Sequence, residues 1–218
     1  MKNKPEALTR DQAVEIAVAV AVELTARSPQ PWTVLSEKPG EFSNWDNYVR
    51  LGAREGHGVH LRFDGYGNEG RISVSGLWPT YKDNRGSTQT VAPGYGEADS
   101  NGYKEITVSR DKDPTKIGAD IRTRFITGYL KLHALLKKRA DNYAHAAKVS
   151  MDAAQKLAAK FSSGERVVAD GLSAKVYIDT LGYVNVAAHG QEISVNIGHV
   201  GSLTMAKAEK VIAILKEG

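Results

Sequence analysis

Apolar residues fill most of positions 13–22, where alanine and valine alternate. Alternation of this kind is also compatible with a strand. A capping box precedes the run, however, because the hydroxyl residue Thr9 is followed three positions later by Gln12. This cap and the alanine content predict a helix that ends near Arg27, before Ser28-Pro29.

Short runs of β-branched and aromatic residues, bounded by glycine, proline and asparagine, follow this helix. They predict strands at residues 32–36, 48–53, 59–63, 71–77 and 105–109. Residues 59–63 alternate between apolar and polar side chains, which predicts one buried face and one wet face. Residues 80–103 are rich in glycine and predict a long loop of the kind that is functional or mobile.

A long helical region is predicted after the last of these strands. It begins at Asp113-Pro114, with the aspartate as cap and the proline in the first turn. One apolar stripe at spacings of three or four residues follows, formed by Ile117, Ile121, Phe125, Tyr129, Leu132 and Leu136. Helical character continues to residue 161, a span of roughly 70 Å if unbroken. A bend near Asp141-Asn142 and a helical hairpin both remain open.

The final part of the chain repeats this order. Strands are predicted at residues 166–169, 174–179, 183–187 and 192–197, and a last helix from Leu203-Thr204 to Lys216. An internal duplication is therefore predicted. The expected fold class is α+β, with two related helix–antiparallel sheet–helix halves joined by the long central helical region. The halves are residues 1–138, which include the 80–103 loop, and residues 139–218.

Composition narrows the chemistry. The 218 residues contain no cysteine, which excludes disulfides, thiolate nucleophiles and cysteine-ligated zinc. No apolar run approaches the roughly 20 residues that span a bilayer, so no membrane partner is expected, and the absence of cysteine favours the cytoplasm as the location. The net charge is +4, and residues 104–160 hold 13 Lys and Arg against 6 Asp and Glu. This basic excess indicates either a solvated helix face or an acidic partner.

The motifs that mark common enzymes are absent from the sequence or lie in the wrong context. Residues 65–70 match G-x-G-x-x-G, but a strand is predicted next, whereas the dinucleotide fingerprint requires a helix there. The histidines are scattered, and no H-E-x-x-H, G-x-S-x-G or P-loop occurs. The sequence therefore predicts a protein that is not an enzyme, with no cofactor and no metal site.

Basic residues interleaved with aromatics are the strongest remaining signal. The predicted partner-binding residues are the basic side chains of the central helix together with an aromatic anchor and a loop tyrosine: Arg122, Arg124, Lys131, Lys137, Lys138, Arg139, Trp45 and Tyr95. Nucleic-acid binding is one interpretation, since helix–three strands–helix is also the order of a double-stranded-RNA-binding domain. The lysine cluster expected at the start of such a domain's last helix is missing.

Two segments carry a resemblance. Residues 71–76 and the strand–helix segment from Ile106 to Phe125 are similar to uncharacterised accessory proteins of bacteriophages and prophages, a likeness that covers mainly residues 59–135. The resemblance implies a viral origin, a location in the bacterial host cell and no catalytic residues. The leading hypothesis is a non-enzymatic accessory protein that binds a host or phage macromolecule, most readily a protein, and that inhibits a bacterial defence system. The alternatives are a nucleic-acid-binding protein, a small-nucleotide sponge in a homo-oligomer and an enzyme whose sequence carries no recognisable motif.

Overall fold

The structure is a computed structural model that describes residues 8–28, 30–35, 48–53, 56–64, 69–161, 167–178, 181–189 and 192–217. The fold is α+β, as predicted. In chain order, the elements are α1 (Arg10–Ala26), β1 (Trp32–Val34), β2 (Tyr48–Ala53), β3 (Gly58–Phe63), β4 (Arg71–Leu77), β5 (Thr80–Lys82), β6 (Thr88–Thr90), α2 (Glu97–Ser100), β7 (Ile106–Ser109), α3 (Pro114–Ile121), a π-helical turn (Arg122–Ile126), α4 (Thr127–Phe161), β8 (Val167–Asp170), β9 (Ser173–Ile178), β10 (Gly182–His189), β11 (Glu192–Asn196), β12 (Ser202–Thr204) and α5 (Met205–Glu217).

The chain divides into two compact units, each built on one five-stranded antiparallel sheet. The first unit consists of Met1–Pro79 and Ala92–Leu136, and the second of Thr80–Val91 and Lys137–Gly218. The sheet of the first unit has the order β1-β2-β3-β4-β7, and that of the second has the order β12-β11-β10-β9-β8. Within the described ranges each sheet already has five strands, which differs from the three-stranded sheet of a double-stranded-RNA-binding domain.

The first helix begins with the predicted capping box. The Thr9 hydroxyl accepts from the Gln12 backbone N–H at 3.3 Å, and the Gln12 side-chain oxygen accepts from the Thr9 N–H at 2.9 Å. Two donors that would otherwise be unsatisfied at the helix start are thereby paired. Helix α1 packs against α3, β1 and β2 through the buried side chains Ala13, Ala17, Val20, Ala21 and Leu24.

The sheet of the first unit has one apolar face, because its strands alternate and their register aligns the apolar positions. Val49 pairs with Leu61, Leu61 with Val74, and Val74 with Ile106. These four side chains are buried. Since neighbouring residues of a strand point to opposite sides, the residues between them form a second face.

The central helical region runs from Pro114 to Phe161 and is α-helical except for one π-helical turn. The Asp113 side chain accepts from the Thr115 N–H at 2.9 Å and caps the start, as predicted. Ile117, Ile121, Phe125 and Tyr129 are each four residues apart, which exceeds the 3.6-residue period of an α-helix. The wider π turn between α3 and α4 absorbs this difference and keeps all four side chains buried. Asp141 and Asn142 lie within α4, so the region is not a helical hairpin.

The second unit buries the apolar face of its own sheet under the C-terminal part of α4 and under α5. Its core consists of Ala153, Ala154, Leu157, Ala158, Phe161, Ala174, Val176, Ile178, Val184, Val186, Val195, Ile197, Ala208 and Ile212. The last helix starts at Met205, after the position predicted, because residues 202–204 pair with β11 as a fifth strand.

Residues 80–103 contain regular structure, which differs from the predicted loop. Strands β5 and β6 form a hairpin, and α2 follows it. The hairpin belongs to the second unit, whereas the sequence placed residues 80–103 with the first half. Asn84 anchors it there, because its backbone N–H donates to the Gly171 carbonyl at 3.1 Å and its side-chain amide to the Ser173 carbonyl at 2.5 Å.

Candidate functional site

The face of the first sheet that points away from the buried core carries a concentration of arginine, aromatic and hydroxyl side chains. One row across the strands contains Tyr48, Arg62, Ser73 and Thr107, and the next contains Arg50, His60 and Ser75. Arg71 lies on the same side, opposite Ser109. All of these side chains are exposed or half-buried. We call this surface the outward face.

Three side chains of the outward face form a contiguous group, which we call the Tyr48–Arg50–His60 layer. The Arg50 Nε–H donates to His60 Nε2 at 2.9 Å, and Arg50 Nη2 donates to the Tyr48 hydroxyl at 3.4 Å. The guanidinium carbon of Arg50 is 5.2 Å from the centre of the Tyr48 ring, and the centre of the His60 ring is 5.3 Å from the same Tyr48 ring centre. Flat, polarisable groups are therefore packed side by side.

The other two arginines of the outward face differ in how they are held. Arg71 donates from Nε to the Thr107 hydroxyl at 3.0 Å and from Nη2 to the same oxygen at 2.8 Å. Arg62 is exposed and lies directly across from Tyr48. In β1–β4 and β7, the described outward positions include Arg50, Arg62 and Arg71 and no Asp or Glu. The face thus presents positive charge together with hydroxyl donors.

The structure does not bring the predicted basic residues of the central helix into one unit. Arg122, Arg124 and Lys131 belong to the first unit, whereas Lys137, Lys138 and Arg139 belong to the second. Arg124, Lys131, Lys137 and Lys138 are exposed, and Arg122 and Arg139 are half-buried.

Carboxylates lie close to two of these predicted residues. Arg122 Nη2 is 3.8 Å from the Glu23 carboxylate, and Lys137 forms an ion pair with Asp141, four residues along α4. Part of the basic excess read from the sequence is therefore compensated within the protein. The Lys137–Asp141 pair is exposed, and an exposed ion pair contributes little to stability but does lower the charge offered to a ligand.

The two predicted aromatic anchors have different outcomes. Tyr95 is fully exposed, between Gly94 and Gly96, just before α2. Trp45 lies outside the described residues. Tyr95 does not belong to the outward positions named above. Whether either aromatic residue binds a partner stays a prediction.

The second unit contains an open cleft of about 570 Å³. It is lined by His189, Glu192, Ile193, Ser194, Ser202, Leu203, Thr204, Met205 and Ala206. His189 and Glu192 face each other across the β10–β11 pairing and are both exposed. Neither side chain is therefore enclosed by the protein.

In the described part of the chain, no group of three or more His, Asp or Glu side chains is arranged to hold a metal ion. None of the helices in the described ranges is both long enough and apolar enough to cross a membrane.

Comparison with protein-family models, with curated proteins and with solved structures gave no match. The resemblance to phage accessory proteins therefore stays a prediction, and the function has to be argued from the geometry of this chain alone.

The residues of the outward face were not among the predicted partner-binding residues, although the sequence contains one signal for this face. The alternation in residues 59–63 predicted a wet face, and its wet positions are His60 and Arg62. Tyr48, Arg50, Arg71 and Thr107 join them only through the pairing of four strands. That register is not visible in the sequence of any single strand.

Proposed function

We propose that the protein binds nucleic acid on the outward face of the first sheet. The observation that carries this proposal is the set of three arginines on one sheet face whose described outward positions include no carboxylate. Arginine is the side chain best suited to phosphate, because its planar donors match the phosphate oxygens. The hydroxyls of Ser73, Ser75 and Thr107 are further donors of the type found at phosphate contacts.

Arg62 and Arg71 are the residues with which to test phosphate binding. Both are exposed, so replacing them with glutamine removes charge without opening a cavity. We expect the full-length protein to bind a labelled oligonucleotide in an anisotropy assay, with an affinity that falls steeply between about 50 mM and 200 mM salt. Each of Arg62→Gln and Arg71→Gln is expected to weaken binding and to reduce the salt slope by about 0.7–0.9.

Arg27→Gln is the matched control, because Arg27 is an exposed arginine of the same unit at the end of α1. It is expected to change neither affinity nor slope. Equal effects of all three variants would mean that binding follows net charge rather than the outward face. Absence of salt-dependent binding by the wild-type protein would overturn the proposal.

A protein partner, the leading hypothesis from the sequence, is supported by one specific observation. Tyr95 exposes its whole side chain, and an exposed tyrosine is a common anchor in protein interfaces. If a protein docks here, Tyr95→Ala should abolish its capture in a pulldown, while Arg62→Gln and Arg71→Gln should leave it intact. Loss of capture with the arginine variants and not with Tyr95→Ala would exclude Tyr95 as the anchor.

A further inference from the structure

We propose that the nucleic acid bound on the outward face is single-stranded, and that one of its unpaired bases stacks on the Tyr48–Arg50–His60 layer. This inference rests on the proposed function and names the ligand class within it. In this layer the Arg50 guanidinium carbon and the His60 ring centre lie 5.2 and 5.3 Å from the centre of the Tyr48 ring.

Flat groups of this kind bind the faces of bases. Aromatic side chains and arginine guanidinium planes stack on unpaired bases, whatever their sequence, because every base has a π face. In a duplex the base faces are covered by their neighbours, and a protein reaches mainly phosphates, sugars and groove edges. A layer that offers π surface is therefore useful to a single-stranded ligand and of little use to a duplex.

The layer is also held in place before any ligand arrives. Arg50 is half-buried and hydrogen-bonds to both of the other members, His60 at 2.9 Å and Tyr48 at 3.4 Å. All three side chains project from paired positions of β2 and β3, two adjacent strands of a five-stranded sheet. Because the side chains are already ordered, little rotamer entropy is lost on binding.

Two arginines that can bind the phosphate backbone of the nucleic acid lie next to the layer. Arg62 is the cross-strand neighbour of Tyr48, at the roughly 5 Å spacing of paired strands. Arg71 lies one strand further along the sheet, on β4, with its guanidinium bonded to Thr107. A single-stranded nucleic acid that crosses β2, β3 and β4 can place a base on Tyr48 and phosphates on Arg62 and Arg71.

The test compares one oligonucleotide sequence in single-stranded and duplex form, with the full-length protein. The single strand is expected to bind more tightly than the duplex at the same salt concentration. Tyr48→Leu should weaken single-strand binding by at least about fivefold, the lower limit for loss of one stacked base. Tyr48→Phe keeps the ring and should retain most of the affinity. Tyr183→Leu, an exposed tyrosine of the second sheet, is the matched control and should have no effect.

A spectroscopic readout separates stacking from a general loss of fold. A 2-aminopurine placed in the single strand should lose fluorescence when it stacks on the wild-type protein and on Tyr48→Phe. If Tyr48→Leu does not fold, the strand preference of the wild-type protein and the quenching by Tyr48→Phe still decide the question.

The outcomes distinguish the inference from the proposed function. Salt-dependent binding with equal affinity for duplex and single strand, and no quenching, would overturn the single-strand inference and leave nucleic-acid binding standing. Absence of binding to either form would overturn both. Saturable binding of an acidic protein that requires Arg62 and Arg71, without any binding of nucleic acid, would assign the outward face to a protein ligand and would likewise overturn both.

Discussion

The ring of Tyr129 occupies the position that a Cβ atom on residue 76 would need, so any side chain there would have to displace the ring. Gly76 continues the inward-facing series Ile72 and Val74 of β4, but with no side chain. The gap admits the Tyr129 ring from α4, and the Gly76 N–H donates to the Tyr103 hydroxyl at 3.2 Å. Helix and sheet of the first unit therefore meet at a backbone position.

Replacing Gly76 with alanine should destabilise the protein. The added methyl group would overlap Tyr129 Cδ2 and Cε2, and the ring is fully buried and cannot move aside without disturbing its neighbours. Overpacking of this kind typically costs about 1–3 kcal/mol. Urea denaturation of Gly76→Ala should show this loss in the free energy of unfolding. Ser75→Ala, the adjacent residue on the outward face, is the control and should change stability by less than about 0.5 kcal/mol.

The Tyr129 hydroxyl has a separate role that a second variant isolates. It accepts from the Gly58 N–H at 2.9 Å and donates to the Leu77 carbonyl at 2.8 Å, which links the ends of β3 and β4. Burial raises the pKa of Tyr129, so the hydroxyl stays protonated and able to donate.

Tyr129→Phe would leave both backbone groups without this partner in a buried environment. We expect a loss of about 1–3 kcal/mol in the free energy of unfolding, with the denaturant m-value unchanged. The fully exposed Tyr95 offers a control, since Tyr95→Phe should have no effect. Wild-type stability of Tyr129→Phe would mean that water or a shift of the strands replaces the hydroxyl.

Elements held by local patterns were predicted well from the sequence. The bounds of β2 and β4 agree with the predicted residues 48–53 and 71–77, and the caps at Thr9 and Asp113 are present. Each of these features depends on residues within a few positions of each other. The fold class followed from the same patterns, since amphipathic helices next to alternating strands pack in few ways.

Features that depend on distant residues were not predicted. The β5–β6 hairpin has exposed threonine and glutamine side chains and no apolar alternation, and Asn84 anchors it to backbone carbonyls of Gly171 and Ser173. The outward face likewise needs the register of four strands. The basic surface was predicted on the central helix because the excess of Lys and Arg is concentrated in that part of the sequence.

Asp83 is expected to hold the β5–β6 hairpin together. It is buried, and one carboxylate oxygen accepts from the backbone N–H groups of Arg85 and Ser87 at 3.0 and 2.9 Å. The other oxygen accepts from the Gln89 side-chain amide at 3.1 Å.

Asp83→Ala removes all three bonds, so amide hydrogen exchange in residues 80–90 should become faster. Exchange in the first sheet should be unaffected. Thr90→Ala, at an exposed strand position, should leave exchange in the hairpin unchanged. Equal protection in both variants would contradict this role of Asp83.

The buried ion pair between Asp64 and Arg110 is expected to contribute strongly to the stability of the first unit. Both side chains are about nine-tenths buried, and the other Asp64 oxygen accepts from the Gly70 N–H at 2.8 Å. Asp64→Asn keeps the shape and tolerates the positive φ of this residue, but leaves the guanidinium charge without this carboxylate. Breaking a buried pair in this way costs about 3–5 kcal/mol.

Thermal unfolding should show a large decrease in Tm for Asp64→Asn. Asp111→Asn is the control and should show almost none, because the Asp111 carboxylate is exposed and 3.8 Å from the same arginine. Similar Tm values for the two variants would exclude a stabilising role for the buried pair.

Asp170 gives the second unit a dependence on acid pH whose sign can be stated. A hydrogen bond from Lys175, and then one from Arg85, hold the pKa of Asp170 below its ordinary value of 3.8. Because the pKa is lower in the folded protein than in the unfolded chain, the carboxylate stabilises the fold above pH 3.8. That contribution is lost as the pH falls through the folded-state pKa.

Asp170→Asn should therefore have a lower Tm than wild type at neutral pH. The difference in Tm should close as the pH falls below the folded-state pKa, where the wild-type side chain is also neutral. The group is solvated, so the gap is expected to be small and to shrink at high salt. A gap that stayed constant from neutral to acid pH would show that the asparagine acts through altered packing rather than through the lost charge.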